Sequence, residues 1–296
     1  MLPNFVVIGA AKSGSTFLSH CLEDHPEIYL HPQEMPVFES PDWEEQGIIY
    51  LHSLFDGRRE KHLGVTRPSY IGKPEVPERI SNYLPEARLI AVLRNPIDRA
   101  VSSYYHNMIY GFLPVRELER GMRLLLEGKY ATTHPRSAEV LENGMYYKYL
   151  SQYRDYLDQG KLLVVYHEEV SANPVKVVQG IYQFLGVDAS YVPSVLGTRP
   201  QAVQYNMHRV RLMALRNNMA HEYNKERTRL WEQPLRGMKG CLVKLIDRFD
   251  GAILAKVWEN TKPKPSQALR NALKAVYQSD MEKLQTLLGR NLCHWK

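Results

Sequence analysis

Residues 5–18 read FVVIGAAKSGSTFL, and this stretch decides the fold class. Its leading apolar residues, Phe5 to Ile8, predict a short buried strand. A loop of small and hydroxyl-bearing residues with one lysine follows, and apolar residues then recur at helical spacing up to Leu22. A strand, a small-residue loop and a helix N-terminus together point backbone N–H groups at an anion. The stretch therefore predicts a phosphate- or sulfate-binding loop, with a plain glycine–serine turn as the alternative.

The position of the lysine separates this loop from that of a nucleoside triphosphatase. Gly9 and Gly14 have the Walker spacing, but a Walker loop has its lysine directly after the second glycine. Here Ser15 and Thr16 stand in that place, and Lys12 comes two residues before the glycine. We therefore expect phosphate binding without ATP hydrolysis.

A second motif follows the apolar strand predicted over residues 89–93. That strand runs into Arg94, which suits a second phosphate better than the magnesium ion that an aspartate would hold. Pro96 favours a helix start, and Ser102 would lie on that helix beside Arg94. Both side chains could bind one phosphate at the carboxyl edge of the sheet, where ligands collect in open parallel sheets.

These motifs resemble those of the sulfotransferases that use 3′-phosphoadenosine-5′-phosphosulfate (PAPS). The KSGST loop at residues 12–16 looks like that family's 5′-phosphosulfate loop, and Arg94 with Ser102 looks like its 3′-phosphate site. The similarity is closest to the heparan-sulfate-type and bacterial branch. Residues 33–38 resemble the Lys-Glu-x-x-Phe-Phe segment of that branch, and residues 64–70 resemble its Glu-Lys-Ser-Pro-x-Tyr segment.

The alternation of predicted strands and helices implies parallel βαβ units. Together with the resemblance it predicts an α/β fold, with a P-loop-type central parallel sheet flanked by helices and a helical C-terminal extension. We expect the PAPS-binding core over residues 1–200 and a helical cap of the same domain over residues 201–296. Residues 31–75 contain five prolines and are predicted to be a loop-rich active-site segment.

The resemblance implies transfer of the sulfonyl group of PAPS to a hydroxyl or amine of a carbohydrate, lipid or natural-product acceptor. The product would be 3′,5′-adenosine bisphosphate, and the resemblance implies no metal. Lys12 would place positive charge on the leaving group, and Arg94 with Ser102 would hold the 3′-phosphate. Arg209, with Arg199 and Arg211 as alternatives, lies where the family has a further adenosine-phosphate loop. The 5′-phosphate would be held by Ser13, Gly14, Ser15 and Thr16.

The resemblance places the catalytic base at Glu34, in a proline-bounded loop where burial could tune a carboxylate. His31 is the alternative base, since cytosolic small-molecule sulfotransferases use a histidine. The chain departs from the branch at Gln33 and Val37, which replace a lysine and a phenylalanine. Thr66-Arg67 stands where the branch has Lys-Ser, which puts a heparan acceptor in doubt.

Composition limits the class of protein and its surroundings. Three scattered cysteines among 296 residues do not suggest a disulfide framework or a zinc site. No apolar stretch of about 18 residues could span a bilayer, and the first strand leaves no room for a signal peptide. We therefore expect a cytoplasmic protein that binds a glycan or small-molecule acceptor and no nucleic acid. The sequence gives no indication of the oligomeric state.

The formal net charge of +6 is concentrated between Arg209 and Arg248, where ten basic residues face four acidic ones. A basic stretch of this kind can bind anions or rest on a membrane, so peripheral membrane contact through residues 209–258 is one possible role. Five apolar residues of this stretch are predicted to share a helix face that packs against the core: Leu242, Leu245, Ile246, Phe249 and Ile253. Two other functions stay open at this point, a P-loop kinase or nucleotide-binding protein and a non-catalytic module for anionic surfaces.

Overall fold

The computed structural model describes residues 1–39, 45–197 and 203–295. Its main sheet has five parallel strands in the order β2-β3-β1-β4-β5. The strands are β1 (Phe5–Gly9), β2 (Ile28–Leu30), β3 (His62–Thr66), β4 (Arg88–Leu93) and β5 (Leu162–Tyr166). Because all strands run in one direction, the loops that follow them emerge at one edge of the sheet. This arrangement confirms the predicted fold class.

Fourteen helices are described. In chain order they are α1 (Ser15–Glu23), α2 (Glu45–Ser53), α3 (Val76–Tyr83), α4 (Pro96–Ile109), α5 (Leu118–Leu126), α6 (Glu139–Glu142), α7 (Tyr146–Leu150), α8 (Arg154–Asp158), α9 (His167–Ala172), α10 (Pro174–Leu185), α11 (Met207–Ala220), α12 (Gly237–Phe249), α13 (Ala255–Val257) and α14 (Gln267–Leu288). A short antiparallel hairpin joins β6 (His221–Tyr223) to β7 (Leu230–Glu232).

The chain forms two compact units. The first comprises Met1–Asn95, Met145–Gln201 and Asp280–Trp295, and it contains the whole five-stranded sheet. The second comprises Pro96–Gly144 and Ala202–Ser279. The boundary predicted between residues 200 and 201 lies outside the described residues, so the division of the chain there stays a prediction.

Side chains of the central strands alternate between two apolar layers of the first unit. Val6 and Leu89 belong to the layer that contains α3 and α7, whereas Val7 and Ile90 belong to the layer of α1 and α10. All four side chains are fully buried, and each stabilises the fold by about 1.5–3 kcal/mol. Hydrophobic runs without alternation in the sequence are typical of parallel strands that are covered on both faces.

Strand β3 and helix α2 correct the prediction that residues 31–75 form a loop-rich segment. The sequence of β3 was hard to recognise because it is short and contains Gly64. The structure gives that glycine a packing role, since a Cβ atom there would lie 2.0 Å from Cζ of the buried Phe5 ring on β1. The glycine therefore permits the close approach of β3 to β1.

The second unit is built around α11, which packs against α4 and α12. Asn217 on α11 donates from Nδ2 to the carbonyl of Ile109 at 3.0 Å. The prediction that an apolar helix face in this region packs into the protein is wrong for four of its five residues. Ile246 is buried, but Leu242, Leu245, Phe249 and Ile253 are exposed.

Candidate active site

The loop between β1 and α1 is shaped by its backbone. Lys12 has a φ of 67° and Gly14 a φ of 105°, so both residues lie in the left-handed region. Gly14 is the N-cap of α1 and provides no side-chain acceptor for the first-turn N–H groups. A helix start without a side-chain cap offers its N–H groups and the positive end of the helix dipole to an anion.

Gly9 at the end of β1 and Gly14 in this loop are required by their surroundings. A Cβ atom on Gly9 would lie 2.5 Å from the carbonyl oxygen of Pro68. A Cβ atom on Gly14 would lie 3.0 Å from Nδ1 of His167, in addition to the strain of the positive φ. Both positions of the predicted motif are therefore fixed by sterics.

The hydroxyls of the loop differ in their environment. Ser13 is fully buried, and its Oγ makes no hydrogen bond to any residue in the described ranges. Ser15 is also buried, at 5% exposure, whereas Thr16 is exposed. Since a buried hydroxyl without a partner costs free energy, the Ser13 Oγ suits a site that an anionic ligand completes.

The structure brings Arg94 to the same loop. Its Nη1 donates to the carbonyl of Lys12 at 3.1 Å. The backbone of Arg94 is held in turn by the Tyr146 hydroxyl, which donates to the Arg94 carbonyl at 2.9 Å. Arg94 therefore lies at the end of β4 next to the loop, with guanidinium N–H groups besides Nη1 that could bind an anion.

The end of β5 supplies two contacts that sequence reasoning missed. The ring nitrogen Nδ1 of His167 lies 3.0 Å from the Ser13 carbonyl, and its N–H can donate to that oxygen. Glu168 accepts from the backbone N–H of Asn95 at 2.9 Å through Oε1. Adjacent residues thus hold the loops after β1 and β4. The available signal was their position directly after a buried strand, which is also the position of Arg94.

Glu34 lies on the segment after β2 and forms an ion pair with Arg67, which follows β3. The Arg67 Nη1 donates to Glu34 Oε2 at 2.9 Å, and the Glu34 side chain is 52% exposed. Arg67 also binds Glu39 through two hydrogen bonds of 3.0 Å, from Nε and Nη2. One guanidinium therefore joins a buried carboxylate, Glu39, to the exposed carboxylate of Glu34.

The charge of Glu39 is maintained by its partners. Burial raises the pKa of this carboxyl, but the hydrogen bonds and charge of Arg67 and the Ser69 hydroxyl outweigh burial and leave it below the usual value. For Arg67, burial opposes the charged form, while its bonds to Glu39 and Glu34 raise the pKa above its ordinary value. Sequence reasoning did not single out Glu39, because its partner lies 28 residues away in the chain.

The remaining predicted site residues have other surroundings. His31 is buried, and its Nδ1 accepts from the backbone N–H of Gln33 at 3.3 Å. Ser102 is buried on α4 in the second unit. Arg209 of the second unit binds Asp250 through two hydrogen bonds of 2.7 Å. The predicted roles of these three residues in catalysis or nucleotide binding stay predictions, and Arg199 lies outside the described residues.

In the described ranges there is no group of three or more His, Cys, Asp or Glu side chains that could hold a metal ion. None of the helices placed by the structure is both long and apolar enough to cross a bilayer.

A family model for the sulfotransferase domain matches residues 2–262, nearly the whole chain. The chain belongs to the sulfotransferase family. This finding confirms the resemblance predicted from the KSGST loop and from Arg94.

Relatives agree with this assignment, and solved structures share the fold. The chain is 29% identical over 197 residues to the human bifunctional heparan sulfate N-deacetylase/N-sulfotransferase 2, an alignment that covers 63% of this chain and 22% of the relative. The first curated relatives are thus much longer proteins, of which the chain spans 22–29%. A sulfotransferase crystal structure from Alicyclobacillus acidocaldarius has the same fold, with a TM-score of 0.68, 23% identity, and coverage of 100% of this chain and 99% of that one. A mouse sulfotransferase complexed with PAP has a TM-score of 0.52 and 15% identity, with coverage of 96% and 86%.

Proposed function

We propose that this protein transfers the sulfonyl group of PAPS to a hydroxyl or amine of an acceptor and releases 3′,5′-adenosine bisphosphate. The observation that carries the proposal is the loop at the head of α1. It combines an uncapped helix start, the buried and unpartnered Ser13 Oγ, and contact with Arg94. Each of these features favours an anion with several oxygen atoms.

Different residues have separate proposed roles in binding the nucleotide and in stabilising the leaving group. The N–H groups and hydroxyls of Ser13, Gly14, Ser15 and Thr16 would hold the 5′-phosphate, and Lys12 would stabilise the charge that develops on the leaving group. Arg94 would bind the 3′-phosphate, and Ser102 and Arg209 stay candidates for nucleotide binding. PAPS, when bound, supplies an activated sulfonyl group.

Glu34 is the proposed base, which takes the proton from the acceptor hydroxyl or amine. Arg67 holds Oε2 of Glu34, while Oε1 has no hydrogen-bond partner among the residues that the structure describes. Glu39 fixes the guanidinium from its buried side and so positions Glu34 through Arg67. His31 is the alternative base, although its Nδ1 already binds its own loop.

The proposed acceptor is a carbohydrate, a lipid or a natural product. The bifunctional relative carries heparan sulfate in its name, which supports a glycan. Thr66 stands where the resemblance expects a lysine, however, and its buried Oγ1 has no partner in the described part of the chain. The acceptor pocket therefore differs chemically from that of the heparan branch at this position.

Two measurements test the proposal. Isothermal calorimetry with 3′,5′-adenosine bisphosphate should show binding without added magnesium, and an acceptor screen with PAPS radiolabelled on sulfur should yield a labelled product. Magnesium-dependent transfer of phosphate from ATP would instead identify a P-loop kinase and overturn the proposal. A cytoplasmic location is also proposed, and fractionation of the source cells would test it.

A further inference from the structure

An exposed apolar stripe runs along α12 and the turns that follow it in the second unit. It consists of six large side chains spaced three or four residues apart, with exposures of 87%, 41%, 63%, 45%, 47% and 67%. In order, they are Met238, Leu242, Leu245, Phe249, Ile253 and Val257. This spacing places the four side chains that lie on α12 on one face of that helix. Ile253 and Val257 continue the exposed apolar run in the π-helical turn and the short helix α13 that follow.

The opposite face of the same helix is already used for packing. Gly240, Val243 and Ile246 are buried, and α12 packs against α11. Two ion pairs secure the contact, Arg216 with Asp247 at 2.9 Å and Arg209 with Asp250 at 2.7 Å. Because the inner face is fixed, the stripe cannot turn inward without breaking these contacts.

The charges around the stripe are almost all positive. Between residues 236 and 257 the only acidic residues are Asp247 and Asp250, and both are paired with arginines of α11. The same segment carries five exposed cations, which form no ion pair with any residue that the structure describes: Arg236, Lys239, Lys244, Arg248 and Lys256. The outward surface is therefore apolar and cationic.

We propose that this stripe lies in the interfacial layer of an anionic lipid bilayer. An apolar face flanked by lysine and arginine is the pattern by which helices bind in the plane of such a membrane. A second copy of the chain is a poorer occupant, since two such surfaces would bring ten like charges together. The proposal concerns a different part of the chain from the sulfonyl-transfer site and does not depend on it.

Flotation of the full chain with lipid vesicles tests this proposal. We expect it to float with phosphatidylcholine vesicles that contain phosphatidylserine, and much less with phosphatidylcholine alone or at high salt. The double variant Leu245→Ser/Phe249→Ser should lower the partition coefficient about tenfold or more. The charge variant Lys244→Gln/Arg248→Gln should lower it by about fivefold per charge.

The control is Ile49→Ser, which removes an apolar side chain that is even more exposed, at 71%, from α2 in the first unit. It should float like the wild type. All variants should keep their melting temperature and their affinity for 3′,5′-adenosine bisphosphate, because the substituted side chains are exposed. Equal flotation of the wild type and the Leu245→Ser/Phe249→Ser variant would overturn the proposal.

A label on Cys241 locates the contact. This cysteine is exposed on α12, Cys293 can be replaced by serine, and Cys21 is buried. An environment-sensitive dye on Cys241 should shift its emission to the blue when vesicles are added; binding without a shift would place the lipid contact elsewhere. Light scattering that shows a dimer lost in the Leu245→Ser/Phe249→Ser variant, with no flotation, would make a second copy the occupant and refute a lipid contact.

Discussion

The loop after β1 and the segment after β2 differ in how their shape is held. In the loop at residues 10–14, Lys12 and Gly14 lie in the left-handed region, and the side chains of Arg94 and His167 bind the backbone carbonyls of Lys12 and Ser13. The segment at residues 31–39 is held by side chains, above all by the guanidinium of Arg67. We infer that the loop after β1, the proposed cofactor side of the site, tolerates little substitution, whereas the segment after β2, the proposed acceptor side, can change by exchange of single side chains.

Glu34→Gln should give the largest effect and separate the two regions most clearly. Loss of the proposed base should lower kcat about 10²- to 10⁴-fold. The affinity for 3′,5′-adenosine bisphosphate should stay unchanged, because the amide keeps the shape of the side chain and lies outside the loop after β1. Steady-state kinetics and calorimetry measure the two quantities. An unchanged kcat would remove Glu34 from the role of base and favour His31.

Lys12→Ala tests the loop after β1 in the same assay. The loss of the cation proposed to stabilise the leaving group should lower kcat about 10²- to 10³-fold. Lys176→Ala, at an exposed position on α10, is the control and should behave like the wild type. Near-normal turnover of Lys12→Ala would contradict the proposal that this lysine stabilises the leaving group.

Gly14→Ala tests how strongly the backbone conformation at Gly14 shapes the loop. An alanine would be strained at a φ of 105°. Its Cβ would also lie only 3.0 Å from Nδ1 of His167. We expect affinity for 3′,5′-adenosine bisphosphate to fall about tenfold, in line with a strain of about 1–3 kcal/mol. Gly57→Ala is the matched control, since Gly57 has a φ of 78° but nothing lies within 4 Å of its Cβ position. The control should lose stability without losing affinity. Equal losses of affinity in Gly14→Ala and Gly57→Ala would show that the loss does not arise from the loop at Gly14.

Glu39→Gln should change the stability of the fold by an amount that depends on pH. The pKa of Glu39 is below its usual 4.5 because Arg67 outweighs the effect of burial. A lowered pKa in the folded state stabilises the protein above the unfolded pKa, and this stabilisation is lost as the pH falls through the folded value. The variant should lose about 1–3 kcal/mol of unfolding free energy at neutral pH. The difference from the wild type should shrink below about pH 4.

Urea unfolding at several pH values measures this difference. The control is Glu86→Gln, because Glu86 pairs with Lys161 but is 85% exposed, and such surface pairs contribute little. A difference between Glu39→Gln and the wild type that does not change with pH would show that packing of Glu39, and not its charge, stabilises the fold.

Sequence reasoning succeeded where the determining residues are neighbours in the chain. The loop at residues 12–16 and the strand before Arg94 carry their own local signals, and the structure has both in the predicted elements. Contacts across the sheet carry no such signal. Glu39 meets Arg67, and His167 meets Ser13, only because parallel strands bring their ends to one edge.

The helix face predicted for burial shows a different limit. Periodicity identified α12 as amphipathic, but it did not reveal which face packs. The small and medium residues Gly240 and Val243 face the protein, while the larger Leu245 and Phe249 face outward. Apolar residues occur on both sides of this helix, so the pattern alone could not distinguish core from surface.

The close approach of Gly64 to Phe5 links two positions that lie 59 residues apart. Because a Cβ atom at position 64 would lie 2.0 Å from the ring, a change at one position requires a change at the other. Across related sequences the two sites should therefore covary, with alanine or serine at 64 accompanied by a side chain smaller than phenylalanine at 5. The distance between β1 and β3 therefore depends on the residues at positions 5 and 64 together.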